Sequence, residues 1–327
     1  MTNANAKIDS AANNVNSTDK SVKEAWPTED TTHSEECQAM EKIPLTSEEK
    51  VKEPLRVILW TAPRSLSTAF ERCMTMVPNS KIFNEMYAAA YLLGPNRQKQ
   101  WWPKLTPKHS FKYCKTRLER DLSEYDFVFA KDFALGMHEH TDMLPKGYQH
   151  TFLIRHPQKM FTSLRKTLCA SKLIKYLSLG GKIQRCFPGK GYFYQDMWEL
   201  YQYLTKQEDQ PVPIILDADD IIRDPETMIR KYCESIGLTF QPEILKWNKA
   251  ELSELPWEGA KIFRAANWLI GYYNNALRST GFVPPDIDYT VSMHPDVLYA
   301  VEYSMPFYKE LYSRRIVLDK VARIPTC

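Results

Sequence analysis

This chain of 327 residues contains no run of about 18 apolar residues, so the sequence predicts no transmembrane helix. Neither sign of charge dominates: 43 lysine and arginine residues face 40 aspartate and glutamate residues, for a net charge of +3. A balance this close gives no reason to expect attraction to nucleic acid or to a charged membrane surface. We therefore expect neither as a partner.

Closely spaced cysteines are also missing from the sequence. The seven cysteines are scattered and never spaced C-x-x-C, which argues against a zinc knuckle or a disulfide framework and is typical of a reducing compartment. Residues 1–53 are polar, carry no apolar signal core, and precede the first arginines, beginning with Arg56. The sequence therefore predicts a disordered polar arm over 1–53, a single α/β domain over 54–327, and a cytoplasmic location.

Short β-like runs recur along the predicted domain, with helical or irregular segments between them. They cover residues 55–60, 81–83, 127–130, 151–154 and 213–216. This alternation predicts a central parallel sheet with helices on both faces. Ligands collect at the carboxyl ends of such strands, so the residues just after each run are the candidates for a site.

The first run leads into the most informative loop. Residues 55–60 read as a buried strand, and apolar residues recur at helical spacing from 66 to 77. Arg64, Ser65, Ser67 and Thr68 lie at the turn between them, where unpaired helix N–H groups and the helix dipole favour anions. The alternative is an ordinary capped helix, in which Thr68 and Glu71 form a capping box.

The fourth run carries a second candidate. Arg155 ends the strand, and Ser163 follows eight residues later, two turns into a predicted helix over 158–166. Their side chains could hold one phosphate from two sides, away from the first loop.

Taken together, the loop and this pair resemble the sulfotransferases that use 3′-phosphoadenylyl sulfate (PAPS). The family has a loop of pattern P-[KR]-S-G-[ST]-T that binds the 5′-phosphosulfate, and this loop is matched here by Pro63, Arg64, Ser65, Ser67 and Thr68. It also has an Arg/Ser pair that binds the 3′-phosphate, and this pair is matched by Arg155 and Ser163. The APRSLST form is similar to a divergent sulfotransferase-like P-loop branch. The resemblance implies a three-layer P-loop fold, PAPS as sulfuryl donor with PAP as product, a small-molecule acceptor, and no metal.

The sequence also departs from the family pattern. Leu66 stands where the family usually has glycine, so this position must avoid a positive φ or bear its cost. Arg64 replaces the commoner lysine. The usual Lys-x-His segment appears as residues 131–133, which leaves the family's catalytic histidine without a counterpart. Only Arg264 matches the family's C-terminal phosphate-binding loop, which implies a donor-binding role for it.

Candidate catalytic roles follow for sulfuryl transfer to a hydroxyl or amine. Arg64 and the loop hydroxyls would stabilise the charge that develops on the leaving phosphate, and Lys131 would be a second cation on the transferring group. Glu85, which follows the second run, is the first candidate for the general base. His138 and the nearby His140 are the alternatives, and their spacing does not suit a metal site.

Two other functions stay open at this point. One is a non-catalytic nucleotide-binding or interaction protein on the same fold, because the Lys-x-His histidine is missing. The other is a P-loop kinase or NTPase, with residues 214–217 as a Walker B strand, although the loop lacks the glycines and lysine of G-x-x-x-x-G-K-[ST]. The sequence identifies neither the acceptor nor the oligomeric state, for which a homodimer is one candidate.

Overall fold

The computed structural model of the chain describes residues 53–95, 106–171, 182–183, 191–284 and 293–318. The predicted polar arm lies outside the described residues except for its last position. No helix in these ranges is both long enough and apolar enough to cross a membrane.

Six parallel strands form the central sheet, in the order β5-β4-β1-β3-β2-β6. They are β1 Leu55–Thr61, β2 Ser80–Asn84, β3 Phe127–Phe133, β4 Gln149–Ile154, β5 Ile214–Asp217 and β6 Trp257–Gly259. The five predicted strands are all present, and β6 was not predicted. Its three residues are too few to show a pattern of alternation.

Helices cover both faces of the sheet, so the predicted three-layer α/β fold is confirmed. The helices are α1 Ser67–Thr75, α2 Met86–Leu93, α3 Phe111–Glu119, α4 Pro157–Ala170, α5 Tyr194–Leu204, α6 Ala218–Arg223, α7 Pro225–Ile236, α8 Lys261–Ile270, α9 Asn274–Arg278 and α10 Pro295–Ser313, with 3-10 turns at Met137–Glu139, Thr141–Met143 and Pro242–Leu245.

Alternation along β1 divides the apolar core into two layers. Val57 and Leu59 pack with α1, α6, α7 and α9, whereas Ile58 and Trp60 pack with α2, α3, α4, α5 and α10. Each face of the sheet therefore buries its own helical layer, and the strand ends are left to carry polar side chains.

Local sequence signals were reliable where they concern one helix. Asp224 caps α7 by accepting a hydrogen bond from the Thr227 N–H at 3.1 Å, Pro225 is the first helical residue, and Gly237 ends the helix with φ 79°. The predicted apolar stripe of α5, which includes Met197 and Leu200, is buried as well.

The predicted end of β3 is wrong. The strand continues past Ala130 to Phe133 and pairs Lys131 with Leu59 of β1, so Lys131 and Asp132 lie inside the sheet at 0% and 2% exposure. Charged residues can be buried there because other segments of the chain provide their partners. No local pattern in the sequence shows those partners.

The capping box, which was the alternative interpretation of the β1–α1 loop, is not formed. Leu66 is the N-cap of α1 and makes no side-chain capping hydrogen bond, and the helix begins at Ser67. Glu71 therefore lies beyond the third helical position, and its side chain is fully buried beneath the sheet end.

Candidate active site

The loop between β1 and α1 has two residues in the left-handed backbone region. Arg64 has φ 62° and Leu66 has φ 68°. Of the two outcomes left open for Leu66, the structure shows the second, a positive φ at a cost on the order of 1–2 kcal/mol for an L-residue. Because Leu66 contributes no capping side chain, the first N–H groups of α1 have no side-chain cap.

The two predicted phosphate-binding segments were expected to lie apart, but they meet at this loop. Arg64 Nε donates a hydrogen bond to Ser163 Oγ at 3.1 Å, and Arg155 Nη1 donates to the Arg64 carbonyl oxygen at 2.8 Å. Arg64 Nη1 also donates to the Tyr272 carbonyl oxygen at 2.5 Å, in the turn between α8 and α9. Two guanidinium groups and a serine hydroxyl are thereby brought together from two segments that are far apart in the sequence, and a third segment provides a carbonyl acceptor.

One hydroxyl in the loop is left without a partner. Ser65 is 0% exposed, and its Oγ makes no hydrogen bond to any of the described residues. Buried polar atoms are normally hydrogen-bonded, so an exception needs an explanation. An anion seated on the loop would provide an acceptor for this hydroxyl, and the neighbouring arginines suit phosphate or sulfate oxygens.

A cavity of about 790 Å³ lies beside the loop, within the usual size range of ligand pockets. Six of the predicted site residues line it: Arg64, Ser67, Thr68, Glu85, Arg155 and Ser163. The rest of the wall is largely apolar and includes Leu93, Phe133, Phe263 and Leu269. The cavity thus joins a polar, cationic end to an apolar compartment.

Glu85 lines the cavity, and both of its carboxylate oxygens have partners. Oε1 accepts a short hydrogen bond from the Lys131 ammonium group, and Oε2 accepts one from the Tyr273 hydroxyl at 2.7 Å. The residue has φ 49° at the N-terminus of α2 and is 6% exposed. Glu85 is therefore held in place from two directions while still lining the cavity.

Lys131 lies behind Glu85 and is not among the residues that line the cavity. Its Nζ is 3.4 Å from Glu71 Oε2, and it lies 5.8 and 5.5 Å from the ring centroids of Phe133 and Tyr273. Burial lowers the pKa of Lys131, but the charges of Glu71 and Glu85 outweigh burial and raise it above its ordinary value. The side chain is therefore an ammonium ion enclosed by carboxylates and aromatic rings.

Glu71 completes this group, and sequence reasoning missed it. Asn84 Nδ2 donates to Glu71 Oε1 at 3.0 Å and to Oε2 at 2.9 Å. Burial raises the pKa of Glu71 to about 8, opposed by the charge of Lys131 and reinforced by that of Glu85. The local sequence suggested only a capping role for Glu71. Its site role was missed because its buried partners come from β2 and β3, which are distant in the sequence.

Asp132 orients the helix that carries Glu85 at its start. Its carboxylate accepts hydrogen bonds from the backbone N–H groups of Tyr87 at 2.6 Å and Ala88 at 2.8 Å, in the first turn of α2. Burial raises the pKa of Asp132 to about 7, although these hydrogen bonds lower it. Asp132 therefore acts as a cap supplied by a neighbouring strand.

The other two predicted site residues lie apart from the cavity. His138 Nε2 is 3.2 Å from Glu199 Oε2, and Arg264 donates to the Trp257 carbonyl oxygen. Neither residue is among those that line the cavity. The alternative His140 packs its ring against Phe111 at a centroid distance of 4.4 Å.

Arg278 does line the cavity and was not singled out from the sequence. It closes α9 and is followed by Ser279, Thr280 and Gly281, which also line the wall. An arginine followed by two hydroxyl residues and a glycine was a detectable signal for anion binding.

Part of the chain matches a known protein family. Residues 205–315 match the family model described as a sulfotransferase domain. This region lies C-terminal to both motifs from which the resemblance was predicted, so the match is independent of them. The prediction of a sulfotransferase relative is confirmed.

Among curated proteins, the chain is 26% identical over 264 residues to the branched-chain-amino-acid aminotransferase-like protein 2 of Arabidopsis thaliana, covering 77% of this chain and 40% of that protein. It is 31% identical over 113 residues to the sulfotransferase ppzF of Metarhizium majus, covering 32% of each. The chain thus spans about two fifths of the length of the Arabidopsis relatives it matches.

Among solved structures, a sulfotransferase from Alicyclobacillus acidocaldarius gives a TM-score of 0.44 at 12% identity, covering 80% of this chain and 97% of that one. A mouse sulfotransferase complexed with PAP gives 0.41 at 10% identity, covering 79% and 88%.

Proposed function

We propose that this chain is a sulfotransferase that transfers a sulfuryl group from PAPS to the hydroxyl or amine of a small-molecule acceptor. The observation that carries the proposal is the contact between the two predicted phosphate-binding segments, in which Arg64 bonds Ser163 and Arg155 bonds the backbone of Arg64. A cluster of this kind suits a donor with more than one phosphate group.

The chain's own residues would hold the donor at the polar end of the cavity. Arg64 and Ser65 would bind the phosphosulfate together with the first N–H groups of α1. Arg155 and Ser163 would bind the 3′-phosphate, and we add Arg278 as a further cation on that side. The donor supplies the sulfuryl group, and the fixed cations stabilise the negative charge that forms on the leaving phosphate.

Glu85 is the general base in this proposal. It lines the cavity, and a carboxylate within hydrogen-bond reach of an acceptor hydroxyl can remove its proton. Lys131 is fully buried, so we assign it to the positioning of Glu85 and not to the transferring group. This replaces the role expected of Lys131 from the sequence.

The apolar wall of the cavity indicates where the acceptor would lie. Phe133, Phe263 and Leu269 offer apolar contact, and Glu85 is the acidic residue among those lining the cavity. An uncharged or cationic acceptor with an apolar body would suit this compartment better than an anion would, because Glu85 would repel a second negative charge.

The test is transfer of radiolabel from PAPS to a panel of alcohols, phenols and amines. Glu85→Gln should retain PAP binding and lower turnover by about 100-fold or more, because it removes the general base and leaves the residues that would bind PAPS in place. Glu234→Gln, an exposed position on α7, is the matched control and should behave as the unaltered chain does.

Full activity of the Glu85→Gln variant would overturn the assignment of the base. PAP binding without any transfer from PAPS would instead favour a non-catalytic nucleotide-binding protein.

A further inference from the structure

A buried ammonium group joins two carboxyl groups behind the cavity. Lys131 Nζ makes a short contact with Glu85 Oε1 and lies 3.4 Å from Glu71 Oε2. An ammonium group carries three N–H donors, so it can address both carboxyl groups at once. The arrangement places one ammonium group between the two carboxyl groups.

The two carboxyl groups differ in access. Glu85 lines the cavity, where an acceptor would lie, whereas Glu71 is 0% exposed and has no place in the cavity wall. Glu71 cannot touch the acceptor. Any part it takes in the reaction passes through Lys131 and Glu85.

The charges of the group favour one bound proton. Two carboxylates and one ammonium would leave a net negative charge in a buried setting, which is unfavourable without further compensation. One proton on either carboxyl group makes the cluster neutral.

When a proton enters the cluster, the surroundings favour Glu71 as its final position. Both carboxylate oxygens of Glu85 already accept hydrogen bonds, one from the ammonium group and one from the Tyr273 hydroxyl. Glu71 has the longer contact with Lys131 and the neutral donor of Asn84. The groups that face Glu71 from neighbouring elements are thus Lys131 from β3, Asn84 and Glu85 from the end of β2, and Tyr273 from the α8–α9 turn.

We infer that Glu71 stores the proton that Glu85 removes from the acceptor, and that Lys131 passes it between them. This inference rests on the function proposed above.

In this step the acceptor O–H bond breaks and a proton binds Glu85. Lys131 then takes that proton while giving one of its own to Glu71, so a Glu71 O–H bond forms and Glu85 returns to the carboxylate. After product release, the proton leaves by the same path through the cavity.

The step has a pH signature. The store accepts a proton only when Glu71 is ionised, and burial raises the pKa of Glu71 to about 8. Turnover should therefore rise by about tenfold between pH 7 and pH 9. In Glu71→Gln, this rise should disappear, and turnover should be about tenfold or more below that of the unaltered protein at pH 9 and converge with it towards pH 7.

A second measurement does not depend on activity. With ¹³C-labelled glutamate in the full chain and no substrate present, one carboxyl resonance should titrate near pH 8, and Glu71→Gln should remove it. Loss of all transfer activity with this titration intact would count against the proposed function alone. A titration that is missing, or that survives Glu71→Gln, would overturn the proton store.

Asn84→Ala is a second variant that tests the inference if Glu71→Gln does not fold. Because the Asn84 amide stabilises ionised Glu71, its removal should move the rise in turnover to higher pH without abolishing it. Glu234→Gln is the control and should leave the pH profile unchanged. An unshifted profile in Asn84→Ala, or an unchanged rise in a folded Glu71→Gln variant, would contradict the inference.

Discussion

Leu66 has a backbone conformation that its residue type does not favour. Its φ of 68° lies in the left-handed region, where the related loop pattern has glycine, and its side chain is half-buried against the α1 side of the core. Packing of the leucine side chain therefore offsets part of the conformational cost. The backbone is held because the loop must turn from β1 into α1 within a few residues.

This balance predicts different outcomes for two substitutions at position 66. Leu66→Gly relieves the strain but loses packing and increases the entropy of the unfolded chain, so the free energy of unfolding should change by less than about 1 kcal/mol. Leu66→Val places a β-branched side chain at positive φ and should lower it by about 1–2 kcal/mol. Urea unfolding measures both.

Leu238→Val is the control, because Leu238 is also half-buried against the same core and does not have a positive φ. If Leu66→Val were no more destabilising than this control, the conformational cost at Leu66 would be negligible.

At the scale of elements, β6 is a strand of three residues at the edge of the sheet, and one carboxylate ties it to α3. Glu258 accepts hydrogen bonds from Arg117 at 2.6 and 2.9 Å and from Arg120 at 2.9 and 3.1 Å, and Lys81 lies 3.1 Å away. Burial raises the pKa of Glu258, but the hydrogen bonds from the three cations outweigh it and lower the pKa to about 2.

We expect Glu258→Gln to lower the free energy of unfolding by about 1–2 kcal/mol at pH 7, because three cations lose their common partner. Because the pKa of Glu258 in the folded chain lies below its ordinary value, the ionised carboxylate stabilises the fold above about pH 4.5. This stabilisation is lost as the pH falls towards 2. The difference between Glu258→Gln and the unaltered chain should therefore shrink in acid, as denaturant unfolding at several pH values would show.

Glu226→Gln removes an exposed ion pair with Arg230 and should cost less than about 0.5 kcal/mol. A Glu258→Gln effect as small as this control, or one that does not change with pH, would show that the cluster contributes little.

The elements also show how far the sequence could be used. Strands β1 to β5 and the caps of α7 follow from local apolar pattern and turn chemistry, which act within a few residues. The end of β3 could not be found this way, because the burial of Lys131 depends on Glu71 and Glu85. Strand β6 offered too few residues to be recognised.

The residues of the candidate site also divide into those that the sequence indicated and those that it did not. Arg155 and Ser163 follow a strand end, where parallel sheets place ligands. We expected them to lie away from the Arg64 loop, but the structure brings them into contact with Arg64, because β1 and β4 are neighbouring strands. Their role in binding stays a prediction. Glu71 was missed because it does not follow a strand and joins the site only through packing of separate elements. Arg278 was missed although the two hydroxyl residues and the glycine that follow it were a detectable signal.

At the scale of the whole molecule, the sheet collects loops from distant parts of the chain at one end. The cavity wall combines the β1–α1 loop, the end of β2, α4 and the segment from α8 to residue 284. The central claim is that this convergence forms a site for a nucleotide with separate 5′- and 3′-phosphate groups. A triphosphate would instead need the Walker glycines and lysine that the loop lacks.

Isothermal titration calorimetry of adenosine 3′,5′-bisphosphate against the full chain tests this claim most directly. We predict one site per chain, with affinity lowered by about tenfold to 100-fold in each of Arg64→Ala and Arg155→Ala, because each loses charge-assisted hydrogen bonds. Arg230→Ala, on the exposed face of α7, should bind as the unaltered chain does. Equal affinity in Arg155→Ala, or binding of ATP with Mg²⁺ in preference to the bisphosphate, would contradict the claim.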